Sequence, residues 1–265
     1  MTKKEKKAIA EYIRNNAEMI RTAKQDYRKT ADFFSDLMDD MRSCGVIKNG
    51  HDATDCVISA LFENGIISSR LNVSKGNVKM GDIPSVSLPP VVTCNHNAPC
   101  FKECYARRMT RYPNVKNAWQ ENLDYYIDFA DGYFYELSQS FKTNAYFRMH
   151  VGGDIPNFDY FYRLCETAKK APNCQILIFT KQFNFVNDFM EICEKIPSNL
   201  HVIFSGWNGW KPINPYHLPE TDIFTDFETL PKNPIVCGGN CTDCICRGCG
   251  CWKLKQGQTL YFKKH

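Results

Sequence analysis

The sequence predicts an α/β protein with a parallel sheet, and two observations carry this prediction. From about residue 84, short apolar runs alternate with longer segments. In those segments the apolar residues recur at helical spacing, and the alternation is typical of βα units. The predicted strands cover 86–93, 145–151, 175–180, 200–205 and 222–225. The predicted helices between them cover 101–109, 115–140, 158–170 and 185–196.

Three regions are expected along the chain: a helical N-terminal extension over 1–83, the α/β sheet over 84–232 and a cysteine-rich segment over 233–265. Helical periodicity in the extension predicts helices over 3–29, 31–42 and 53–64. Residues 1–29 hold nine Lys or Arg against four acidic residues, so the first helix has a basic face. Such a face is more often solvated than bound to a partner, although nucleic acid stays among the candidate partners.

Composition limits where the protein works. No run approaches the ~20 apolar residues that cross a bilayer, and no apolar segment of a secretory signal follows the basic start. We therefore expect no membrane association and a cytoplasmic location. In a reducing cytoplasm the 14 cysteines favour metal binding or chemistry over disulfides.

The first cysteine group is Cys94, Cys100 and Cys104, on a loop between a predicted strand and helix. Three thiolates can hold an iron–sulfur cluster whose fourth iron stays open to a substrate or cofactor. A structural zinc ion with His96 as fourth ligand is the alternative, although His96 lies only two residues from Cys94.

The second predicted strand reads AYFRMHVGGDIP. Alternation puts Arg148 and His150 on one face, which we expect to point into a polar interior. Gly152 and Gly153 allow close approach of a ligand to the backbone, and Asp154 can accept hydrogen bonds from an ammonium group. A plain strand-to-helix turn with Asp154 as a helix cap explains the same residues equally well.

A three-cysteine loop after the first strand and a Gly-Gly-acid turn after the second resemble the radical S-adenosylmethionine (SAM) superfamily. The resemblance implies a partial (βα) barrel and a [4Fe-4S] cluster whose open iron is chelated by SAM. It also implies that Gly152, Gly153 and Asp154 hold SAM, whose amino group the turn meets. Tyr105, after the last cysteine, stands in for the aromatic residue that the superfamily has just before it.

A closer resemblance is to the phage-associated gene product 88-like proteins, over roughly 84–253. It rests on PCFKECYARRM, RYPNV with Trp119 and Asn122, FRMHVGGD, and the final CW pair, in that order. This resemblance implies a fold and cofactors more than a reaction. It also implies a phage-encoded protein in the host cytoplasm.

The tail VCGGNCTDCICRGCGCWKL forms the second cysteine group, with six cysteines and little apolar content, so we expect a metal to organise it. Zinc on the pair Cys241 and Cys244 with two later thiolates is one interpretation. A second [4Fe-4S] cluster is the sharper one. The family resemblance favours Cys237, Cys241, Cys244 and Cys251 as its ligands, with Cys246 and Cys249 as alternatives.

The expected function is reductive cleavage of SAM at the three-cysteine cluster, which starts radical chemistry on an unidentified substrate. An electron donor such as ferredoxin or flavodoxin would be a partner. The proposed contacts to cofactor or substrate are Arg148, His150, Lys181 and Ser205. Two alternatives stay open: a SAM-independent enzyme that uses the open iron as a Lewis acid, and a zinc-binding module. In the latter, Trp207, Trp210 and the basic helix would contact nucleic acid or a protein.

Overall fold

The structure is a computed structural model and describes residues 1–26, 33–193, 195–246 and 250–264. The chain divides into two compact units. Unit 1 consists of Met1–Leu71 with Leu123–Tyr133, and unit 2 of Asn72–Asn122 with Phe134–His265.

Unit 1 is helical. Its helices include α1 (Lys3–Asn15), α2 (Ala17–Asp26), α3 (Phe33–Ser43) and α4 (Thr54–Glu63). The single helix expected over 3–29 is interrupted at Asn16, whose backbone leaves the helical region and whose side-chain amide donates to the Tyr12 carbonyl. The rest of that predicted helix, 27–29, lies outside the described residues. Ile9 and Ile13 of α1 are fully buried, as the periodicity predicts.

Unit 2 contains a sheet of seven strands, which confirms the α/β class. All six strand pairings in the sheet are parallel, in the order β1-β2-β3-β4-β5-β7-β6. The strands are β1 (Ser85–Val86), β2 (Tyr146–Met149), β3 (Gln175–Thr180), β4 (Leu200–Ser205), β5 (Glu220–Phe224), β6 (Ile235–Val236) and β7 (Thr259–Lys263). The partial barrel and the metal-binding tail stay predictions.

Further helices lie between the strands. They are α5 (Tyr105–Met109), α6 (Pro113–Asp128), α7 (Ala130–Lys142), α8 (Phe158–Lys169), α9 (Phe183–Cys193) and α10 (Cys241–Cys246). The single helix expected over 115–140 is divided at Phe129. No described helix is both long enough and apolar enough to span a membrane.

The first strand is much shorter than the predicted 86–93, because β1 ends at Val86. Pro89 and Pro90 lack the N–H groups that a ladder needs, and Val91 has a left-handed backbone with φ 79°. The chain therefore leaves the sheet early and reaches Cys94 as irregular loop.

One cluster of buried side chains joins the strands to the tail. Leu177, Ile203 and Leu260, from β3, β4 and β7, pack with Cys251 and Trp252. The C-terminal segment thus contributes directly to the core of unit 2.

Candidate functional site

Polar residues follow neighbouring strands at the carboxyl edge of the sheet. Asp154 comes shortly after β2, Thr180 and Lys181 stand at the end of β3, and Ser205 ends β4. Because β2, β3 and β4 pair in parallel, these ends share one edge. Ligands of open α/β sheets bind at this edge.

The Asp154 carboxylate links the segments that follow β2 and β3. Its Oδ1 accepts from the Thr180 hydroxyl at 2.6 Å and from the Ile155 backbone N–H at 2.8 Å, and its Oδ2 accepts from the Lys181 backbone N–H at 2.8 Å. Burial raises the pKa of this carboxyl to about 6, although these hydrogen bonds and the Lys181 charge oppose the rise. Asp154 therefore anchors the chain's own backbone before it meets any ligand.

Gly152 and Gly153 are required by close packing within the protein. A Cβ on Gly152 would lie 2.4 Å from a ring atom of Trp119. A Cβ on Gly153, where φ is 78°, would lie 2.5 Å from the Leu88 carbonyl oxygen and 2.8 Å from the Thr93 hydroxyl. The position that a Cβ would take on each of these glycines is thus filled by the chain itself, and close approach of a ligand to the turn stays a prediction.

Lys181 carries the positive charge of the site. Its Nζ donates to Ser205 Oγ at 2.5 Å and lies 5.8 Å from the ring centre of Trp207. Its carbonyl accepts from Asn95 Nδ2 at 3.0 Å, so the loop that carries the first cysteine group is tied to the end of β3.

The charges of this site affect the pKa values of the first two cysteines of the loop. Burial raises the pKa of the Cys94 thiol to about 12, and the negative charge of Asp154 adds to the effect. Burial also raises the pKa of Cys100, and the positive charge of Lys181 opposes it. Cys104 precedes α5 and interacts electrostatically with both other thiols.

The three thiols are not grouped as the ligands of a single metal ion. Over the described ranges, no three His, Cys, Asp or Glu side chains lie close enough to hold a metal ion. A set of three thiols on one loop fits an iron–sulfur cluster by its chemistry, because each thiolate binds a different iron and the three need not meet at one ion. His96 Nε2 lies 2.5 Å from the Val91 carbonyl, and its ring packs on Phe101, so its polar tip is engaged with the backbone.

Arg148 and His150 meet different neighbours, although strand alternation predicts one face for both. β2 ends at Met149, and His150 has a left-handed backbone with φ 54°. Its ring is buried against Tyr160 of α8, and burial lowers its pKa to about 3. The Arg148 guanidinium lies 4.2 Å from the ring centre of Phe179.

Both side chains also hold buried polar atoms without partners. Among the described residues, Arg148 Nε and both ring nitrogens of His150 have no hydrogen-bond partner. Such atoms are uncommon in native interiors, and each needs a structural or functional explanation.

Tyr105 and Arg107 are bound to the protein near the cysteine loop. The Tyr105 hydroxyl donates to the Val151 carbonyl, beside the Gly-Gly-Asp turn. Arg107 donates to the Phe101 carbonyl at 3.0 Å and lies over its ring. Tyr105 thus lies near the predicted SAM turn, and Arg107 supports the loop.

The tail cysteines lie partly in the apolar core. Cys251 is 8% exposed, and Cys237 and Cys241 pack against the same cluster. Burial raises the pKa of Cys251 to about 12, while the positive charge of Arg148 opposes the rise. Cys244 is half-buried. The alternative ligands, Cys249 and the Cys246 side chain, lie outside the described residues.

A feature that the sequence interpretation missed is a tight hairpin at 207–210, called the tryptophan hairpin below. Trp207 and Trp210 exchange backbone hydrogen bonds of 3.0 and 2.9 Å across Asn208 and Gly209, which are both left-handed. The Asn-Gly pair is the sequence signal that predicts such a turn. Directly opposed residues project to the same face, so both rings lie beside the segment after β3.

A family model described as Gene product 88 matches residues 63–249. No match was found among the curated proteins or the solved structures. The matched stretch contains the whole cysteine loop and the Gly-Gly-Asp turn.

Proposed function

We propose that this chain, which belongs to the Gene product 88 family, is an iron–sulfur enzyme that cleaves SAM reductively. The observation that carries the proposal is the position of the cysteine loop. Cys94 and Cys100 interact electrostatically with Asp154, and Cys100 also with Lys181, at the edge of a parallel sheet where ligands bind. The radical SAM likeness adds the expectation of SAM to this placement.

Cys94, Cys100 and Cys104 would hold a [4Fe-4S] cluster with one open iron. Thiolates are the protein ligands of such clusters, and three of them leave one iron without a protein ligand. When bound, this cluster supplies the electron for reductive cleavage of SAM and so starts radical chemistry on a substrate. The electron would come from a reduced donor such as ferredoxin or flavodoxin, in the reducing cytoplasm of a phage host.

Lys181 and Ser205 are positioned to bind the polar part of SAM. The Lys181 ammonium group is held between the Ser205 hydroxyl and the face of Trp207. The Lys181 backbone N–H donates to the Asp154 carboxylate. A fixed cation at a half-buried site attracts a carboxylate, and a neighbouring hydroxyl adds a hydrogen bond. Tyr105, whose hydroxyl donates a hydrogen bond to the Val151 carbonyl, would form the wall of the same site on the side of α5.

The tail would hold a second cluster on Cys237, Cys241, Cys244 and Cys251. Arg148 supports this assignment, because its charge lowers the pKa of Cys241 and Cys251 against the effect of burial. Arg148 is half-buried, and its buried Nε has no hydrogen-bond partner among the described residues, so its guanidinium can stabilise thiolates and the negative charge of a cluster. We assign Arg148 to the tail site on this ground, and no longer to SAM.

The test is to purify the protein without oxygen, assay iron, sulfide and zinc, and add SAM with dithionite. We expect about eight irons and eight sulfides per chain from two [4Fe-4S] clusters, and cleavage products of SAM. Cys100→Ala should remove half of the iron and all SAM cleavage. Cys44→Ala, at an exposed cysteine outside both groups, should change neither quantity.

Zinc without iron would contradict the proposal and favour a zinc-binding module. Loss of all iron in Cys100→Ala, with the fold preserved by circular dichroism, would show that the two groups are not independent sites. Retention of SAM cleavage in that variant would contradict the assignment of the cysteine loop.

One observation favours a second function, a SAM-independent enzyme that uses the open iron as a Lewis acid. The Asp154 carboxylate, which the likeness to the radical SAM superfamily assigns to the SAM amino group, is buried and already accepts three hydrogen bonds. Iron and sulfide at the cysteine loop, with no SAM binding by calorimetry and no SAM cleavage, would select this second function.

A further inference from the structure

A cavity of about 240 Å³ lies beside the cysteine loop, and none of the functions above uses it. Its walls include four carboxamides, from Asn95, Asn97, Gln182 and Asn184, and two aromatic rings, from Phe183 and Trp210. We call it the amide pocket. Sites for drug-sized ligands have about 300–1,000 Å³, so this volume suits a group of one or two rings.

The aromatic wall is rigid. The Phe183 ring is buried against Phe204 at 4.9 Å between ring centres, and Trp210 lies 5.3 Å from Phe183. Trp210 is held by the tryptophan hairpin, whose tip donates from Gly209 N–H to the Asp222 carboxylate. A planar ligand therefore meets an aromatic surface whose position is set before binding.

Two of the carboxamides are fixed by hydrogen bonds, and the other two belong to exposed residues. Asn95 is held at both ends, donating to the Lys181 carbonyl and accepting from the Asn97 backbone N–H, each at 3.0 Å. Gln182 Nε2 donates to the Thr93 carbonyl at 2.9 Å. Within the part of the chain that the structure describes, the side chains of Asn97 and Asn184 make no hydrogen bond. Each offers a donor and an acceptor.

Charge and hydrogen-bonding capacity select the ligand. No carboxylate lines the pocket, and Lys211 is its only charged lining residue among those described. A ligand recognised by paired donors and acceptors and by aromatic stacking is a nucleobase, since carboxamides match base edges and base faces stack on tryptophan. A metal ion or a fatty acid would find neither carboxylates nor a continuous apolar wall.

We propose that the amide pocket binds a nucleobase. The base belongs either to a nucleoside or nucleotide substrate or to the adenosyl group of SAM, and only this assignment of its source rests on the proposed function. Asn95, which is one of the residues that line the pocket, directly follows Cys94 of the loop. A base held there is therefore adjacent to the proposed cluster.

The test is equilibrium binding of adenosine, guanosine, cytidine and uridine to the full-length protein, measured by calorimetry. We expect at least one nucleoside to bind at submillimolar concentration. Trp210→Ala should weaken that binding about tenfold or more, since stacking contributes roughly this factor. Asn184→Ala should weaken it several-fold.

Matched controls are Tyr112→Ala and Asn117→Ala, at an exposed aromatic residue and an exposed asparagine of unit 2 away from the pocket. Both should bind like the unaltered protein. Asn184→Asp keeps the size of the side chain but replaces its hydrogen-bond donor by a negative charge, so it should also weaken nucleoside binding. This variant tests the pocket even if Trp210→Ala does not fold. Absence of binding by all four nucleosides, or unchanged affinity in both pocket variants, would overturn the proposal.

Competition separates the two sources. If the base is that of SAM, adenosine should displace SAM and Trp210→Ala should weaken both ligands. If it belongs to the substrate, the nucleoside should bind beside SAM, and Trp210→Ala should leave SAM affinity unchanged. If the protein binds a nucleoside but contains no iron, the nucleobase proposal stands and the iron–sulfur proposal is wrong.

Discussion

His150 is a buried polar residue whose surroundings give it no hydrogen-bond partner among the described residues. Its ring is 4% exposed and packs on Tyr160, so the neutral form is the only one that this site tolerates well. Leaving a buried polar group unpaired costs about 1–3 kcal/mol, a cost that packing alone does not explain. The free energy of unfolding should therefore depend on pH through this ring.

We predict that His150→Phe makes the protein less sensitive to acid. The folded pKa of about 3 lies below the ordinary value of 6.5, so between these values the folded state binds fewer protons than the unfolded state. Stability from this site is full above pH 6.5 and falls as pH drops, by up to ~1.4 kcal/mol per pH unit. Urea unfolding at pH 7, 6 and 5 measures the slope.

His217→Phe is the matched control, because His217 is also left-handed, with φ 53°, but exposed. If the free energy of unfolding falls equally with pH in His150→Phe and in the unaltered protein, the prediction that His150 is buried in its neutral form is wrong.

Gly153→Ala should destabilise the protein more than an alanine at another left-handed glycine. The new Cβ meets the Leu88 carbonyl, which is backbone and yields little, in addition to the ~1–2 kcal/mol cost of the left-handed conformation. Gly257→Ala, with φ 74° and nothing within 4 Å, carries only the conformational cost. Thermal unfolding compares the two, and equal losses would refute the steric contact.

At the scale of elements, the C-terminal segment belongs to the core as well as to a candidate metal site. The 3₁₀ turn Cys251–Lys253 places Trp252 against Tyr146 of β2, with ring centres 5.1 Å apart. The sequence interpretation gave the tail only a metal to organise it. The apolar contacts of Cys251 and Trp252 supply a second source of order.

Trp252→Ala should lower the free energy of unfolding by about 3–5 kcal/mol, as for other large buried side chains. Ile192→Ala, at a residue 70% exposed on α9, should change it by less than ~0.5 kcal/mol.

Chelation of any bound metal should leave Trp252 shielded from a fluorescence quencher. Exposure of Trp252 on chelation would instead make metal the dominant source of order.

Sequence periodicity predicted β3 and β4 with their observed bounds, because buried central strands are continuous apolar runs. It failed where one residue ends an element, as at Asn16, Phe129 and His150. It also missed β6 and β7, since a two-residue strand carries no period and β7 ends in lysines. The cluster of Asp154, Lys181 and Ser205 could be predicted because strand ends share an edge, whereas the amide pocket needs loops that no local pattern orients.

At the scale of the whole molecule, the chain enters unit 1 twice. Leu123–Tyr133 belongs to the same compact unit as Met1–Leu71. Phe129 lies 5.3 Å from Phe34, and Asp128 pairs with the buried Lys24 at 2.5 Å. The helical region is therefore not a self-contained N-terminal piece.

We predict that a fragment of residues 72–265 exposes apolar surface. Removal of 1–71 takes away the partners of Leu123, Phe129 and the other buried residues of Leu123–Tyr133. The fragment should bind the dye ANS and elute as larger species on size exclusion, unlike the full chain. Phe129→Ser in the same fragment should reduce dye binding. A monomeric fragment without dye binding would refute this account.

The place of β7 in the sheet sets an order of events during synthesis. β7 lies between β5 and β6, and the Cys237 N–H bonds to the Tyr261 carbonyl, yet β7 is made after the other six strands. At ~5–20 residues per second, Cys251 is synthesised on the order of a second before β7. The backbone hydrogen bond that holds Cys237 in the sheet can therefore form only after every tail cysteine has been made.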